Sequence, residues 1–223
     1  MSAGGPLRLT LVSHARTAAV RAARFGVDDD TIDDAEARRA AAVTTSHMTH
    51  TSGASRTPSG RALRGGRAWC DRSLRTRQTA QALGLSAMPD PALRDLDVGA
   101  WVGRSLDEIS PADLRLWTED PAAAPHGGES VVDLLDRVAA WLAARATDPE
   151  NVIAVTHPAV VRAALVTALR SPPEVFWRID VPPLSATLLH GRLPATSTSP
   201  GHAGGKAGTG SMVWTLRHAC LSL

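Results

Sequence analysis

Two short apolar runs, far apart in the chain, each end in a histidine. Leu7-Arg-Leu-Thr-Leu-Val-Ser13 leads into His14, and Val152-Ile-Ala-Val-Thr156 leads into His157. Runs of this length, aliphatic and β-branched and bounded by polar clusters, read as buried strands. Helical segments follow them, residues 18–25 as a short helix and 159–169 as a longer one. Strands alternating with helices predict an α/β fold, a three-layer sandwich with a mostly parallel central sheet flanked by helices on both faces. In such folds ligands gather at the carboxyl ends of strands, so the two histidines are expected on one edge of the sheet.

The rest of the chain reads around that frame. Residues 28–34 form an acidic loop that caps a helix over 35–43, and 44–60, rich in Ser, Thr and Gly without periodicity, read as an exposed loop. Arg67–Cys70 is a short strand, followed by an Arg-rich helix over 73–83 that stops at Gly84. Residues 93–103 are irregular, and Ser105 opens a Ser-Leu-Asp-Glu capping pattern. The clearest helix spans 129–146, where Val132, Leu135, Val138, Ala139 and Leu142 recur at spacings of three and four. Residues 185–190 and 213–217 read as a closing hairpin around a Gly/Ser/Thr/Pro-rich insertion at 191–211. One domain over 1–223 is expected.

Charge and composition narrow the function. Lys and Arg number 24 against 22 Asp and Glu, a net +2 that is too balanced for broad phosphate neutralisation on nucleic acid. All the basic residues except Lys206 are Arg, a side chain suited to forked binding of phosphate or carboxylate. Two cysteines, Cys70 and Cys220, exclude a disulfide scaffold and a four-cysteine metal site. The apolar part of residues 1–14 is confined to 9–12, below signal-peptide or membrane-helix length, so a cytoplasmic protein with no membrane partner is expected. His47 and His50 have a metal-like spacing but lie in a polar context, and no metal or organic cofactor is expected. Gly204-Gly-Lys206 lacks the strand and the Ser/Thr of a phosphate loop, and no Gly-x-Ser-x-Gly elbow supports a serine hydrolase.

A neutral imidazole fixed beside backbone N–H groups at a helix start can attack phosphorus and carry the phosphoryl group. The surrounding motifs agree with that chemistry. Leu11-Val-Ser-His14-Ala-Arg-Thr17 resembles the Leu-Val-Arg-His-Gly-Glu-Thr signature of the histidine phosphatase superfamily, which includes the phosphoglycerate mutases. Ser73 to Ala80 is similar to its Arg-Arg-Ala-Arg-Gln-Thr-Ala segment. Leu93-Arg-Asp95 through Gly99-Ala-Trp101-Val-Gly103 resembles its Leu-Arg-Glu loop. His126-Gly-Gly-Glu129-Ser130 and Val155-Thr-His157-Pro complete the series, in the family's order over about residues 7–190.

The resemblance implies roles. His14 would be the nucleophile that forms a phosphohistidine. His157 would donate to the phosphoryl oxygens, Arg75 would clamp them, and Asp95, where the family has Glu, would protonate the leaving oxygen and later activate water. Asp97 is a second candidate for that proton. The departures are Ser13 where the family places a phosphate-binding Arg, and Ala15 in place of Gly. Ser13 supplies one hydrogen bond without charge, and Arg16 and Arg21 stand near enough in sequence either to reach the phosphate or to remain solvated. Losing one preorganised donor costs ~10²–10³ in rate. The expected activity is phosphomonoester hydrolysis of a small phosphorylated metabolite, rather than mutase chemistry. The alternative is a weakened family member that binds a phosphorylated ligand or protein without efficient turnover. Trp101 is a candidate to line the site and Glu129 to serve the first turn of its helix. Oligomeric state is not legible.

Overall fold

The structure, a computed structural model, describes residues 7–48, 63, 65–145, 148, 150–192 and 212–223. Among the described residues six strands form one sheet: β1 (Leu7–Ser13), β2 (Arg67–Cys70), β3 (Ala87–Pro89), β4 (Val152–Thr156), β5 (Ser185–Arg192) and β6 (Val213–Ser222), in the order β3-β2-β4-β1-β5-β6. The β3–β2, β2–β4 and β4–β1 pairings are parallel, while β5 lies antiparallel to both β1 and β6. The sheet is mixed, with only β5 reversed, and helices cover both of its faces. The four-residue α1 (Ala18–Arg21) precedes α2 (Asp34–Met48), α3 (Leu74–Ala82), α4 (Pro111–Glu119), α5 (Val131–Arg145) and α6 (Pro158–Leu169).

Strand alternation explains the three layers. Successive side chains point to opposite faces, and β4, buried along its whole length, divides its residues between two cores. Val152 and Ala154 join Leu9, Leu11 and Leu189 under α5 and α6, with Leu134, Val138 and Val160. Ile153 and Val155 join Val12, Ala186 and Leu188 under α2 and α3, with Ala40 and Ala80. The α6 segment is apolar nearly all round, because it packs on the sheet on one side and on α5 on another.

Several boundaries differ from the sequence expectation. The short helix after β1 ends at Arg21 rather than residue 25; Phe25 leaves it to pack against Trp101 and Trp117. The helix expected over 35–43 continues to Met48, into the segment read as loop, whose remaining residues 49–60 lie outside the described residues. The hairpin strands are longer than expected, and Gly191 and Arg192 belong to β5 rather than to the insertion, of which 193–211 lie outside the described residues. β3 and α4 carry too little periodic signal to be read in advance. The pattern at Ser105 forms the capping box, with Glu108 accepting from the Ser105 backbone and hydroxyl, though it opens a single 3₁₀ turn. Among the described residues, no helix is long and apolar enough to cross a membrane.

Leu93 is fully buried and begins the irregular segment that crosses the carboxyl end of the sheet, where its carbonyl accepts from the Thr156 hydroxyl at 2.8 Å. Leu93→Ala is expected to cost about 2–5 kcal/mol of unfolding free energy, measured by urea denaturation with an unchanged m-value.

Candidate active site

Parallel pairing of β1 and β4 ends with Ser13 opposite Thr156, so the next residues, His14 and His157, leave adjacent strands side by side. They share the alternation of Val12 and of Ile153 and Val155, which turns both toward the α2/α3 side. The His14 N–H donates to the Thr156 carbonyl at 2.8 Å, and the two imidazoles meet edge to face, 5.3 Å between centroids. Both rings are buried, and His14 lines a cleft of about 710 Å³.

The two rings differ in protonation. The Nδ1 of His14 lies 2.7 Å from the Ala15 carbonyl, which can only accept, so Nδ1 carries the proton and Nε2 keeps its lone pair. Burial, followed by the charge of His157, pushes the His14 pKa down to about 3. His157 goes the other way. Burial alone would lower its pKa, but the Asp95 carboxylate 3.2 Å from Nδ1 and the Asp71 carboxylate 3.2 Å from Nε2 outweigh it and raise the pKa. Arg75 Nε lies 3.4 Å from the same Nδ1, an arrangement that would use that nitrogen as an acceptor. The two contacts exclude one another, and the paired carboxylates select the imidazolium donating to Asp95.

Arg75 projects from the first turn of α3, its side chain 5% exposed. Nη1 donates to the Val27 carbonyl at 2.5 Å and Nη2 reaches Asp95 Oδ2 at 3.3 Å. Beside it Gly26 leaves room for the Asp30 carboxylate, which accepts from the Val27 amide at 3.0 Å; a Cβ on Gly26 would stand 2.9 Å from that carboxylate oxygen. Asp95 Oδ2 thus bridges Arg75 and His157. Burial would raise the Asp95 pKa, but His157 first, then Arg75, hold it well below the usual carboxylate range. Its side chain still keeps 40% of its surface open to the cleft. Asp71, at the end of β2, accepts from the Ser73 amide and hydroxyl and from the Thr76 hydroxyl. These bonds and His157 overcome its burial and bring it down to about 2.

The structure therefore brings His14, Arg75, Asp95 and His157 together. The other residues singled out in the sequence stand elsewhere. Ser13 is fully buried with its hydroxyl unpaired and does not line the cleft, because strand alternation turns it away from His14. Arg16 is exposed and off the cleft, and Arg21 is a surface residue paired with Asp33 at 2.6 Å. Asp97 lines the cleft but caps its own turn, accepting from the Gly99 amide at 2.9 Å. Trp101 sits behind the wall; Phe25 and Trp117 face the cleft instead. His47 lies within α2 and His50 outside the described residues.

Glu129 does more than serve its helix start. It is buried and takes both Nε and Nη2 of Arg137 at 2.8 Å, while Arg137 Nη1 and Nη2 donate to the carbonyls of Ala92, Arg94 and Asp95. This clamp fixes the loop carrying Asp95. Gly99 and Gly128 let that loop close on the 126–128 turn, since a Cβ on Gly128 would collide with the Asp97 carbonyl and one on Gly99 with that of His126. Sequence reading missed Asp71, although it follows β2 as His14 follows β1. It also missed Arg162 of α6 in the cleft wall, which no strand-end rule would find.

The chain over residues 9–193 matches the model of the histidine phosphatase superfamily, branch 1. This chain belongs to the histidine phosphatase superfamily. Phosphoserine phosphatase 1 of Hydrogenobacter thermophilus is 26% identical over 119 residues, 51% of this chain and 56% of that protein. Glucosyl-3-phosphoglycerate phosphatase of Mycolicibacterium vanbaalenii is 35% identical over 123 residues, 47% of this chain and 53% of that protein. The chain thus spans about half the length of the curated relatives it matches. Its fold is also that of a mycobacterial glucosyl-3-phosphoglycerate phosphatase solved with inorganic phosphate. That structure has a TM-score of 0.71 and 23% identity over 97% of this chain and 98% of the other.

The charge states give a direct spectroscopic expectation. A long-range ¹H–¹⁵N spectrum of the imidazoles between pH 5 and 8 is expected to show His14 as a non-titrating neutral ring protonated on Nδ1. His157 is expected to stay doubly protonated beyond pH 6.5, losing its proton only as pH rises through its elevated pKa. A His14 that titrates near 6.5 would contradict the desolvated site.

Proposed function

We propose that this protein is a phosphomonoester hydrolase that works through a phosphohistidine on a small phosphorylated metabolite. The observation that carries the reading is the pair of facing imidazoles, one neutral with a free Nε2 and one held as a cation, beside the buried guanidinium of Arg75. Family membership supports it, as do relatives named for phosphoserine and glucosyl-3-phosphoglycerate.

The geometry supports the following course. An ester dianion enters the cleft and its oxygens take Arg75 and His157 as partners, replacing Asp95 Oδ2. His14 Nε2 attacks phosphorus in line, the phosphorus–oxygen ester bond breaks, and the leaving oxygen takes a proton from Asp95. Water then gives a proton back to Asp95 as its oxygen attacks the phosphohistidine, releasing inorganic phosphate and restoring His14. Charge spread over three equatorial oxygens is met by fixed donors.

Asp95 is an anion while it pairs with Arg75 and His157. Losing those partners to a phosphoryl group, and gaining a dianion as neighbour, both raise its pKa toward the range of a useful acid. The sign follows: turnover of alkyl phosphates falls as pH rises through the pKa of Asp95 in the ester complex.

Incubation with radiolabelled phosphate ester is expected to label wild-type protein with phosphate that is stable to alkali and labile to acid. His14→Ala should abolish both label and turnover. Equal background rates in wild type and His14→Ala would instead support a ligand-binding protein without turnover. Asp95→Asn is expected to lower kcat by ~10²–10⁴ on alkyl phosphates and to remove the basic limb of the pH profile. Its effect on aryl phosphates, whose leaving group needs little protonation, should be smaller.

A further inference from the structure

His126 is a buried histidine that the phosphoryl chemistry does not use. Its ring is 3% exposed and stands edge to face against Trp101 and Trp117, 5.0 and 6.1 Å between centroids. Nδ1 lies 3.0 Å from the Gly128 amide nitrogen, which can only donate. Nδ1 is therefore an unprotonated acceptor, and the ring proton sits on Nε2, which has no hydrogen-bond partner among the described residues. The contact reproduces, with an imidazole, the bond that an Asn or Asp side chain makes to the amide two residues on.

The turn fixed in this way grips the segment that carries Asp95. The His126 carbonyl accepts from the Ala100 amide at 2.9 Å, and the Glu129 amide donates to the Asp97 carbonyl at 2.8 Å. Arg137 holds the carbonyls of Ala92, Arg94 and Asp95. The two grips bracket Asp95, and the second of them, over residues 97–100, depends on the 126–129 turn keeping its shape.

Protonation of His126 and closure of this turn exclude one another. A proton on Nδ1 would point at the Gly128 N–H, so an imidazolium must leave the bond. Burial lowers the His126 pKa, and the Asp97 carboxylate, the charged group that acts on the ring, works against burial; Trp101 and Trp117 are uncharged. The sign follows: the closed turn keeps its full stability above about pH 6.5, the pKa of a freed imidazole, and weakens as pH falls below it.

We infer that His126 is a positioning residue for Asp95: its neutral imidazole closes the turn that seats the Asp95 loop, and a proton on that ring releases the loop. Its effect on turnover rests on the phosphatase reading, whereas its hold on the loop does not.

The test has three readouts. Backbone amide exchange in wild type, corrected for the intrinsic rate, is expected to show opening at Gly128 and Ala100 that rises up to tenfold per pH unit below about pH 6.5. His126→Asn, whose carbonyl oxygen accepts from Gly128 without titrating, should show no such rise. In imidazole ¹H–¹⁵N spectra, His126→Ala is expected to shift the deprotonation of His157 to lower pH, because Asp95 no longer holds Nδ1, and His126→Asn to leave it in place. In assays, His126→Ala is expected to lower kcat ~10²-fold on alkyl phosphates and less on aryl phosphates, with His126→Asn restoring most of the loss. A folded His126→Ala with an unmoved His157 titration, or with equal losses on both ester classes, would overturn the inference. So would Gly128 opening that ignores pH, and His126 would then be packing between Trp101 and Trp117. If His126→Ala fails to fold, the pH dependence of wild-type opening and its absence in His126→Asn decide. If wild type hydrolyses neither class of ester, the phosphatase reading fails by itself, and the exchange and His157 readouts still judge the hold on Asp95.

Discussion

Parallel pairing between β1 and β4 is the constraint on which the site depends. Their registered ends place His14 and His157 in contact through the backbone before any side chain takes part. Both strands are almost wholly buried, so a slip of one residue would turn each apolar set to the wrong layer. The cores on the two faces thereby fix the position of the two imidazoles. The geometry of the cleft is a by-product of how Leu9, Leu11, Ile153 and Val155 are shared between layers.

From that contact the protonation pattern follows by proximity. Two buried rings 5.3 Å apart cannot both be charged at low cost. Two carboxylates on His157 and the burial of His14 settle which ring carries the charge, and the Ala15 carbonyl settles the tautomer of the neutral one. Asp95 is the hinge of the arrangement, since its single oxygen answers both the Arg75 guanidinium and the His157 imidazole. The loop that presents it is held by Arg137, itself neutralised by Glu129, so a buried ion pair acts by locating three carbonyls.

Much of this was legible in the chain. The two strand–histidine junctions predicted the sheet edge, and the motif around Arg75 and Asp95 led to the other two cleft groups. Short elements were less readable: β3 has three residues and α2 ran through Ser and Thr that in isolation mark a loop. The arginine neighbours of His14 misled because sequence distance says nothing of side-chain direction. Arg16 and Arg21 sit beside the site in the chain yet face solvent, whereas Arg162 is remote and lines it. Glu129 was undervalued because its partner lies two helical turns away, where a local dipole argument does not look.

Gly99 and Gly128 carry no chemistry, yet their lack of a side chain lets the Asp95 loop seat against its neighbour. A methyl group at either position would push the loop outward and carry the carboxylate off its two cations, with every reactive group still present. Tolerance to substitution in this protein should therefore track the closeness of backbones rather than the reactivity of side chains, and a survey of variants would find its most sensitive positions partly among residues that have nothing to react with.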